Sequence, residues 1–170
     1  FVGHDAGVLP ERLDLLVYSS AVPEDNPERV GARTAGIRQI RRGHFLAELA
    51  RHFPEVVSVA GSHGKTTVSA MVAHILRRTG RDPGFLVGAA LPGWECPAAA
   101  GAGRVLVTEV DESDGTQAAM HSDCAVITNM EDDHCWSVGG EDALRQVFAT
   151  FGAQAKRLLV ADTPAAREIF

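Results

Sequence analysis

The segment VAGSHGKTTVSAMV, residues 59–72, places a glycine-rich turn between an apolar run and a helical pattern. The preceding run, EVVSVAG from residue 55, is apolar enough for a buried strand. The glycine-rich turn is followed by KTTVSAMVAHILRRTG. Its apolar residues recur at helical spacing at Val68, Met71, Val72, Ile75 and Leu76. Gly80 is expected to end the helix. A strand, a tight loop and a helix in this order favour an α/β fold.

The rest of the chain repeats this alternation. Strands are predicted at 13–23 (buried, running into a loop), 37–42 (a short edge strand), 55–61, 104–110, 124–130 and 157–161, and the segment PGFLVGAAL occupies 83–91. Helices are predicted at 25–36, at 43–53, near 141–152 and from 164. In the first helix, Asn26 is the expected N-cap, Pro27 takes the first position and Gly36 is the stop. In the second helix, Phe45, Leu46 and Leu49 are expected on one face. An Ala/Gly/Pro-rich loop is expected at 92–103. The pattern predicts a parallel sheet flanked by helices.

The loop from Gly61 to Gly64 has the chemistry of an anion site. Backbone amides and a helix N-terminus supply partial positive charge, and Lys65 adds a full charge. The hydroxyl of Thr66 suits a magnesium ion that bridges phosphates. The pattern is a shortened G-x-x-G-K-T, because Val59 stands where the longer consensus has glycine.

A plain glycine-rich turn with an incidental lysine is the alternative interpretation of this loop. Composition argues against it, because the sequence has 14 arginines and only two lysines, Lys65 and Lys156. A compact ammonium fits a phosphate cradle where a planar guanidinium does not.

Acidic residues follow two predicted strands. Glu109 lies at the carboxyl end of the strand in TEVDESDGT, where open parallel sheets bind ligands. Clustered carboxylates favour a cation site, although we expect Glu112 and Asp114, taken singly, to be solvated loop residues. The next strand ends in TNMEDDHCW, where His134 suits a metal or a phosphate oxygen. A zinc set of His121, Cys124, His134 and Cys135 matches no structural zinc spacing.

The bulk composition narrows the class of protein further. The formal net charge of −6 argues against a nucleic-acid surface. No apolar stretch approaches the ~20 residues of a membrane span, and the N-terminus lacks the features of a signal peptide. Three scattered cysteines fit a reducing compartment. We therefore expect a cytoplasmic protein without a membrane or nucleic-acid partner.

Taken together, GSHGKTT, TEVDESDGT and TNMEDDH, in this order, resemble the Mur ligases, ATP-dependent enzymes that build the peptide of peptidoglycan. SSAVPEDNPE followed by IRRGHFLAELA is similar to the passage from their UDP-binding domain into their ATP-binding domain. The resemblance implies residues 1–52 as the C-terminal part of a Rossmann-like UDP-substrate domain. It implies residues 53–170 as the N-terminal part of a central P-loop-type ATP-binding domain.

The resemblance also implies a ligation in which ATP phosphorylates the lactyl carboxylate of UDP-N-acetylmuramate and L-alanine then attacks. By position, Gly61, Ser62, His63, Gly64, Lys65, Thr66 and Thr67 would hold the phosphates. Thr66 and Glu109 would bind one Mg²⁺ and His134 a second. The implied catalytic residues are Lys65, which would contact the β- and γ-phosphates, and His134 and His63, which would lie near the reacting carboxylate. Ser19, Ser20 and Ala21 would lie near the uridine diphosphate.

The sequence departs from the family in two places. Cys135, Trp136 and Ser137 follow the DH pair, where the family usually has Met-Asp and an aromatic residue. The N-terminal glycine-rich UDP loop and the later domains are absent, so we expect a fragment or a truncated gene product. Apolar faces left by missing segments would favour self-association. The alternatives are an idle nucleotide-binding remnant and a ligase that recycles murein tripeptide.

Overall fold

The computed structural model describes residues 3–91, 93–113, 115–131 and 139–170. The chain folds as two compact units, residues 1–46 and 47–170. Within the described residues, no helix is both long and apolar enough to cross a membrane.

The first unit contains a short parallel sheet. A 3-10 turn at Ala6–Val8 precedes strand β1 (Leu15–Tyr18). Strands β1 and β2 (Arg38–Arg41) pair in parallel, and helix α1 (Pro27–Thr34) connects them. Helix α2 (Arg42–Ala50) follows β2 directly. A crossover helix such as α1 is the usual connection between parallel strands.

Local sequence signals account for α1. The Asn26 side chain accepts hydrogen bonds from the amides of Glu28 (3.0 Å) and Arg29 (3.3 Å), and Pro27 opens the helix. These contacts satisfy N–H groups that the helix itself leaves unpaired. The prediction of a buried first strand is wrong, because Val17 of β1 is 39% exposed.

The second unit is built on a six-stranded sheet in the order β5-β4-β6-β3-β7-β8. All neighbouring strands run parallel except the β4–β5 pair. The strands are β3 (Glu55–Ala60), β4 (Gly84–Leu86), β5 (Ala98–Ala99), β6 (Val105–Glu109), β7 (Cys124–Ile127) and β8 (Leu158–Val160). Strand β5 lies inside the segment predicted as a loop.

Helices α3 (Lys65–Arg78), α4 (Glu141–Ala153) and α5 (Pro164–Ile169) connect and follow these strands, and a 3-10 turn spans Thr116–Ala119. The predicted α/β class and the predicted alternation of strands and helices are confirmed. Strand β3 lies at the centre with β6 on one side and β7 on the other. The connection from β3 leads across β6 to β4, whereas the connection from β6 leads across β3 to β7, and ligands of open α/β sheets bind at such a switch point.

Helix α3 packs on the sheet through part of the predicted apolar stripe, because Val72 and Leu76 pack against the buried cluster beneath the helix. Ala73 is fully buried in a cluster with Phe85, Val105 and Val107. Met71 and Ile75 are 59% and 57% exposed, so the predicted apolar stripe is only partly correct. Because Ser69 and Ala73 are small and fully buried, the helix can lie close to the strands.

In α2, the buried residues are Leu46, Ala47 and Ala50. Leu49 is 40% exposed, so it does not share the buried face that the sequence analysis gave it.

An ion pair supports the amino end of β3. The Asp123 carboxylate accepts from the Lys156 ammonium (2.6 Å) and from the Val56 amide (2.8 Å). These hydrogen bonds, that of Lys156 first, hold the pKa of Asp123 below its ordinary value, against an opposing effect of burial. The stabilisation is complete above the unfolded pKa of about 3.9 and is lost as pH falls through the lower folded value.

We expect Lys156→Ala to lower the free energy of unfolding near neutral pH, because Asp123 loses its cationic partner. The difference from the unsubstituted protein should shrink as acid protonates Asp123. Urea unfolding across the acid range measures this convergence. A difference that stays constant down to pH values well below 3.9 would contradict it.

Candidate phosphate-binding site

The loop after β3 turns sharply against the end of β7. Gly61 has φ 134°, and a Cβ there would overlap the Thr128 hydroxyl and lie 2.9 Å from the Asn129 carbonyl oxygen. Only glycine allows this conformation and this approach together. Strand β7 therefore fixes the start of the loop.

The two segments are joined by hydrogen bonds. The Ser62 amide donates to the Asn129 carbonyl oxygen (3.3 Å), and the His63 amide donates to the Asn129 side-chain oxygen (2.8 Å). The Thr128 hydroxyl donates to the His63 carbonyl oxygen (2.6 Å). Two of the amides predicted to hold phosphates are thus engaged with Asn129 in this structure. Sequence reasoning did not single out Thr128 or Asn129.

Gly64 is the N-cap residue of α3, with φ 81°, and it has no side chain that could accept a hydrogen bond from the first turn. The amides in the first turn of any α-helix have no partner within the helix, so those of Lys65, Thr66 and Thr67 remain for an external acceptor. With the positive end of the helix dipole, they make an anion site in front of α3.

Lys65 curls back over this loop. Its ammonium donates to the carbonyl oxygens of Gly61 (2.6 Å) and Ser62 (3.4 Å). It also lies 2.9 and 3.1 Å from the two carboxylate oxygens of Glu112. Glu112 is 1% exposed, so the expectation of a solvated loop residue is wrong for it. The ion pair with Lys65 compensates the burial of this carboxylate.

Thr66 and Glu109 meet beside the lysine. The Thr66 hydroxyl donates to the Glu109 carboxylate at 2.7 Å. The β3–β6 register sets Glu109 opposite Val59, two residues before the loop. A hydroxyl and a carboxylate are hard oxygen donors of the kind that Mg²⁺ takes, together with phosphates and water. Within the described ranges, no three His, Cys, Asp or Glu side chains form a ready-made metal cluster.

Gly88, just beyond β4, makes room for Glu109. A Cβ on Gly88 would overlap one Glu109 carboxylate oxygen and lie 3.0 Å from the carboxyl carbon. A side chain here would therefore push Glu109 away from Thr66. The sequence alone does not single out Gly88, because its role depends on the pairing of β4 with β6.

We expect Gly88→Ala to weaken Mg²⁺-dependent nucleotide binding by about tenfold, the effect of losing one charged contact. Ala89→Ser, at the adjacent exposed position, is the control and should bind like the unsubstituted protein. Calorimetry with and without Mg²⁺ measures both variants. Unchanged affinity in Gly88→Ala would show that Glu109 does not need this position.

The remaining candidate residues lie as follows. The His63 imidazole is 58% exposed and lies 3.4 Å from the Glu131 carboxylate. His134 and Asp114 lie outside the described residues. Ser19, Ser20 and Ala21 form an exposed turn after β1 in the first unit, where the Ala21 amide donates to the Ser19 hydroxyl (3.3 Å). The structure thus brings together Lys65, Thr66 and Glu109, with Glu112 as an unforeseen fourth member.

The fold and the loop define an α/β domain with a phosphate-loop geometry at the switch point of a parallel sheet. The chain belongs to the Mur ligase family, as the resemblance indicated. The family model described as "Mur ligase middle domain" matches residues 59–169, and the model described as "Mur ligase family, catalytic domain" matches residues 1–54.

Named relatives support this membership. The UDP-N-acetylmuramate–L-alanine ligase of Syntrophomonas wolfei is 43% identical over 156 residues, which are 92% of this chain and 33% of that protein. The chain therefore spans about a third of the length of this curated relative.

Two solved structures share the fold. The UDP-N-acetylmuramate-alanine ligase of Thermotoga maritima has a TM-score of 0.90 and 30% identity, covering 99% of this chain and 40% of that one. The UDP-N-acetylmuramate:L-alanyl-gamma-D-glutamyl-meso-diaminopimelate ligase of Neisseria meningitides has a TM-score of 0.87 and 23% identity, covering 99% and 59%. At that identity the second match shows the fold alone.

Proposed function

We propose that the loop from Gly61 to Thr67 binds the terminal phosphates of ATP in a Mur-type ligation. The observation that carries this proposal is the meeting of Lys65, Thr66 and Glu109 at the front of α3. The helix amides attract the phosphate oxygens, and the Lys65 ammonium neutralises their charge.

The donor set also suits magnesium. Thr66 and Glu109 would hold one Mg²⁺, which supplies charge neutralisation between the phosphates, and His134 would hold a second near the substrate carboxylate. His63, a residue of the same loop, would contact that carboxylate. The task of these residues is to position the reactants and to stabilise developing negative charge.

Family membership and the names of the relatives support a proposal for the substrates. We propose UDP-N-acetylmuramate and L-alanine, with Ser19, Ser20 and Ala21 near the uridine diphosphate. ATP transfers its γ-phosphoryl group to the lactyl carboxylate, which leaves ADP and an acyl phosphate. The amine of L-alanine then attacks the acyl carbon, forms the amide and displaces inorganic phosphate. This places the protein in the synthesis of cell-wall precursors in the cytoplasm, with residues 1–52 in the UDP domain and 53–170 in the ATP domain.

Calorimetry with a non-hydrolysable ATP analogue tests the nucleotide site. We expect binding that strengthens with Mg²⁺, and absence of binding under both conditions would refute the proposal. Labelled L-alanine with UDP-N-acetylmuramate and ATP tests the ligation. Nucleotide binding without amide formation would favour the alternative of an idle nucleotide-binding remnant. Amide formation with murein tripeptide but not with L-alanine would identify the recycling ligase.

A further inference from the structure

The ammonium of Lys65 has more acceptors around it than it has hydrogens to donate. Three N–H groups face four oxygens of described residues within 3.4 Å, two of them on Glu112. A phosphate oxygen can bond to this ammonium only if one of these contacts is given up. The two carbonyl oxygens belong to the loop backbone, so Glu112 is the partner that a side-chain movement can release.

Electrostatics also indicates that a phosphate would displace Glu112 from Lys65. Glu112 is 1% exposed and Lys65 is 19% exposed, so the pair is poorly screened by solvent. A phosphate that reaches Lys65 comes near a buried carboxylate of the same sign, and like charges at such separations repel strongly in a protein interior. Both effects stabilise the nucleotide-free loop and oppose the bound one.

We propose that Glu112 is an internal counter-ion that competes with the nucleotide phosphates for Lys65. This rests on the proposed phosphate role of the loop and adds a residue that sets its affinity. Glu112 prearranges the lysine in the empty site and weakens the hold on phosphates, which favours release of the diphosphate product. It is a positioning residue, because it acts on the nucleotide through Lys65.

The test compares Glu112→Gln with the unsubstituted protein by calorimetry, using ADP and a non-hydrolysable ATP analogue. Glutamine keeps the shape of the side chain and removes its charge. We expect both ligands to bind about fivefold tighter or better, as expected when one nearby like charge is removed. Glu55→Gln, an exposed position at the opposite end of β3, removes the same charge and should leave the affinity unchanged.

Glu112→Asp keeps the charge and should stay close to the unsubstituted protein. Equal tightening in the Asp and Gln variants would show that charge is not the cause, and this would overturn the proposal. So would equal or weaker binding by Glu112→Gln while the unsubstituted protein binds. If none of the proteins binds nucleotide, the phosphate role of the loop fails instead.

Thermal melting provides a second test that remains valid if Glu112→Gln lowers the stability of the protein. Without ligand, Glu112→Gln should melt at a lower temperature, because Lys65 loses its partner. Saturating ADP should raise its melting temperature more than that of the unsubstituted protein. An equal or smaller rise would count against competition for Lys65.

Discussion

Replacing Lys65 with alanine is expected to weaken nucleotide binding more than tenfold and to destabilise the fold at the same time. A charge-assisted contact to phosphate contributes about 1.5–3 kcal/mol, which accounts for the lost affinity. The destabilisation has a separate cause: Glu112, 1% exposed, would be left as an unpaired buried carboxylate. Removing one partner of a buried pair costs about 3–5 kcal/mol.

The chain provides a matched control for this variant. Lys156 is the only other lysine in the sequence, and it pairs with Asp123 at the amino end of the strands. Lys156→Ala should leave nucleotide affinity unchanged. Equal loss of affinity in both lysine variants would show that general charge, and not the loop, attracts the nucleotide.

The double variant Lys65→Ala/Glu112→Gln separates stability from binding. It removes both charges of the buried pair, so its free energy of unfolding should recover most of what Lys65→Ala loses. Its nucleotide affinity should stay low, since the phosphate contact is still missing. Urea unfolding and calorimetry on the same samples measure the two effects. Recovery of the affinity measured for Glu112→Gln alone would contradict a direct role for Lys65.

Replacing Glu109 with alanine is expected to remove most of the contribution of Mg²⁺ to nucleotide binding. The Glu109 carboxylate lies 2.7 Å from the Thr66 hydroxyl, and together they offer two oxygen ligands to one ion. Without metal, the same variant should bind nucleotide equally well or slightly better, because a carboxylate near the phosphates has gone. The Mg²⁺-dependent part of the affinity should fall about tenfold or more.

Glu109→Gln is the matched variant for this effect. It keeps an oxygen and the side-chain volume but removes the charge that the metal needs. We expect it to behave like the alanine variant in Mg²⁺ titrations. An equal loss of affinity with and without Mg²⁺ in both variants would remove the metal role of Glu109.

Local patterns in the sequence were sufficient to predict the part of the site that lies on consecutive elements. Lys65 and Thr66 follow directly from a strand, a glycine turn and a helix, because those signals are encoded within a few residues. Glu109 was accessible too, since the carboxyl ends of parallel strands meet at one edge.

Contacts between distant segments were not accessible in the same way. Glu112 looks like any acidic loop residue until the ammonium of Lys65, 47 positions away, is placed beside it. Gly88 matters only through the space that the Glu109 side chain fills. Both depend on the register of neighbouring strands, which hydropathy does not report.

The errors in the fold have similar causes. Periodicity identified the apolar stripe of α3, but the small residues Ser69 and Ala73 determine which face lies against the sheet. Met71 and Ile75 therefore remain exposed. Strand β5 has only two alanines, which have little strand propensity, and its pairing with β4 defines it.

The most direct test of the account is a crystal structure of the protein with a non-hydrolysable ATP analogue and Mg²⁺. We expect the terminal phosphates in front of α3, bonded to Lys65 and to the amides of its first turn, with Mg²⁺ held by Thr66 and Glu109. A nucleotide bound elsewhere, with Lys65 still paired to Glu112 and no metal at Thr66, would contradict it.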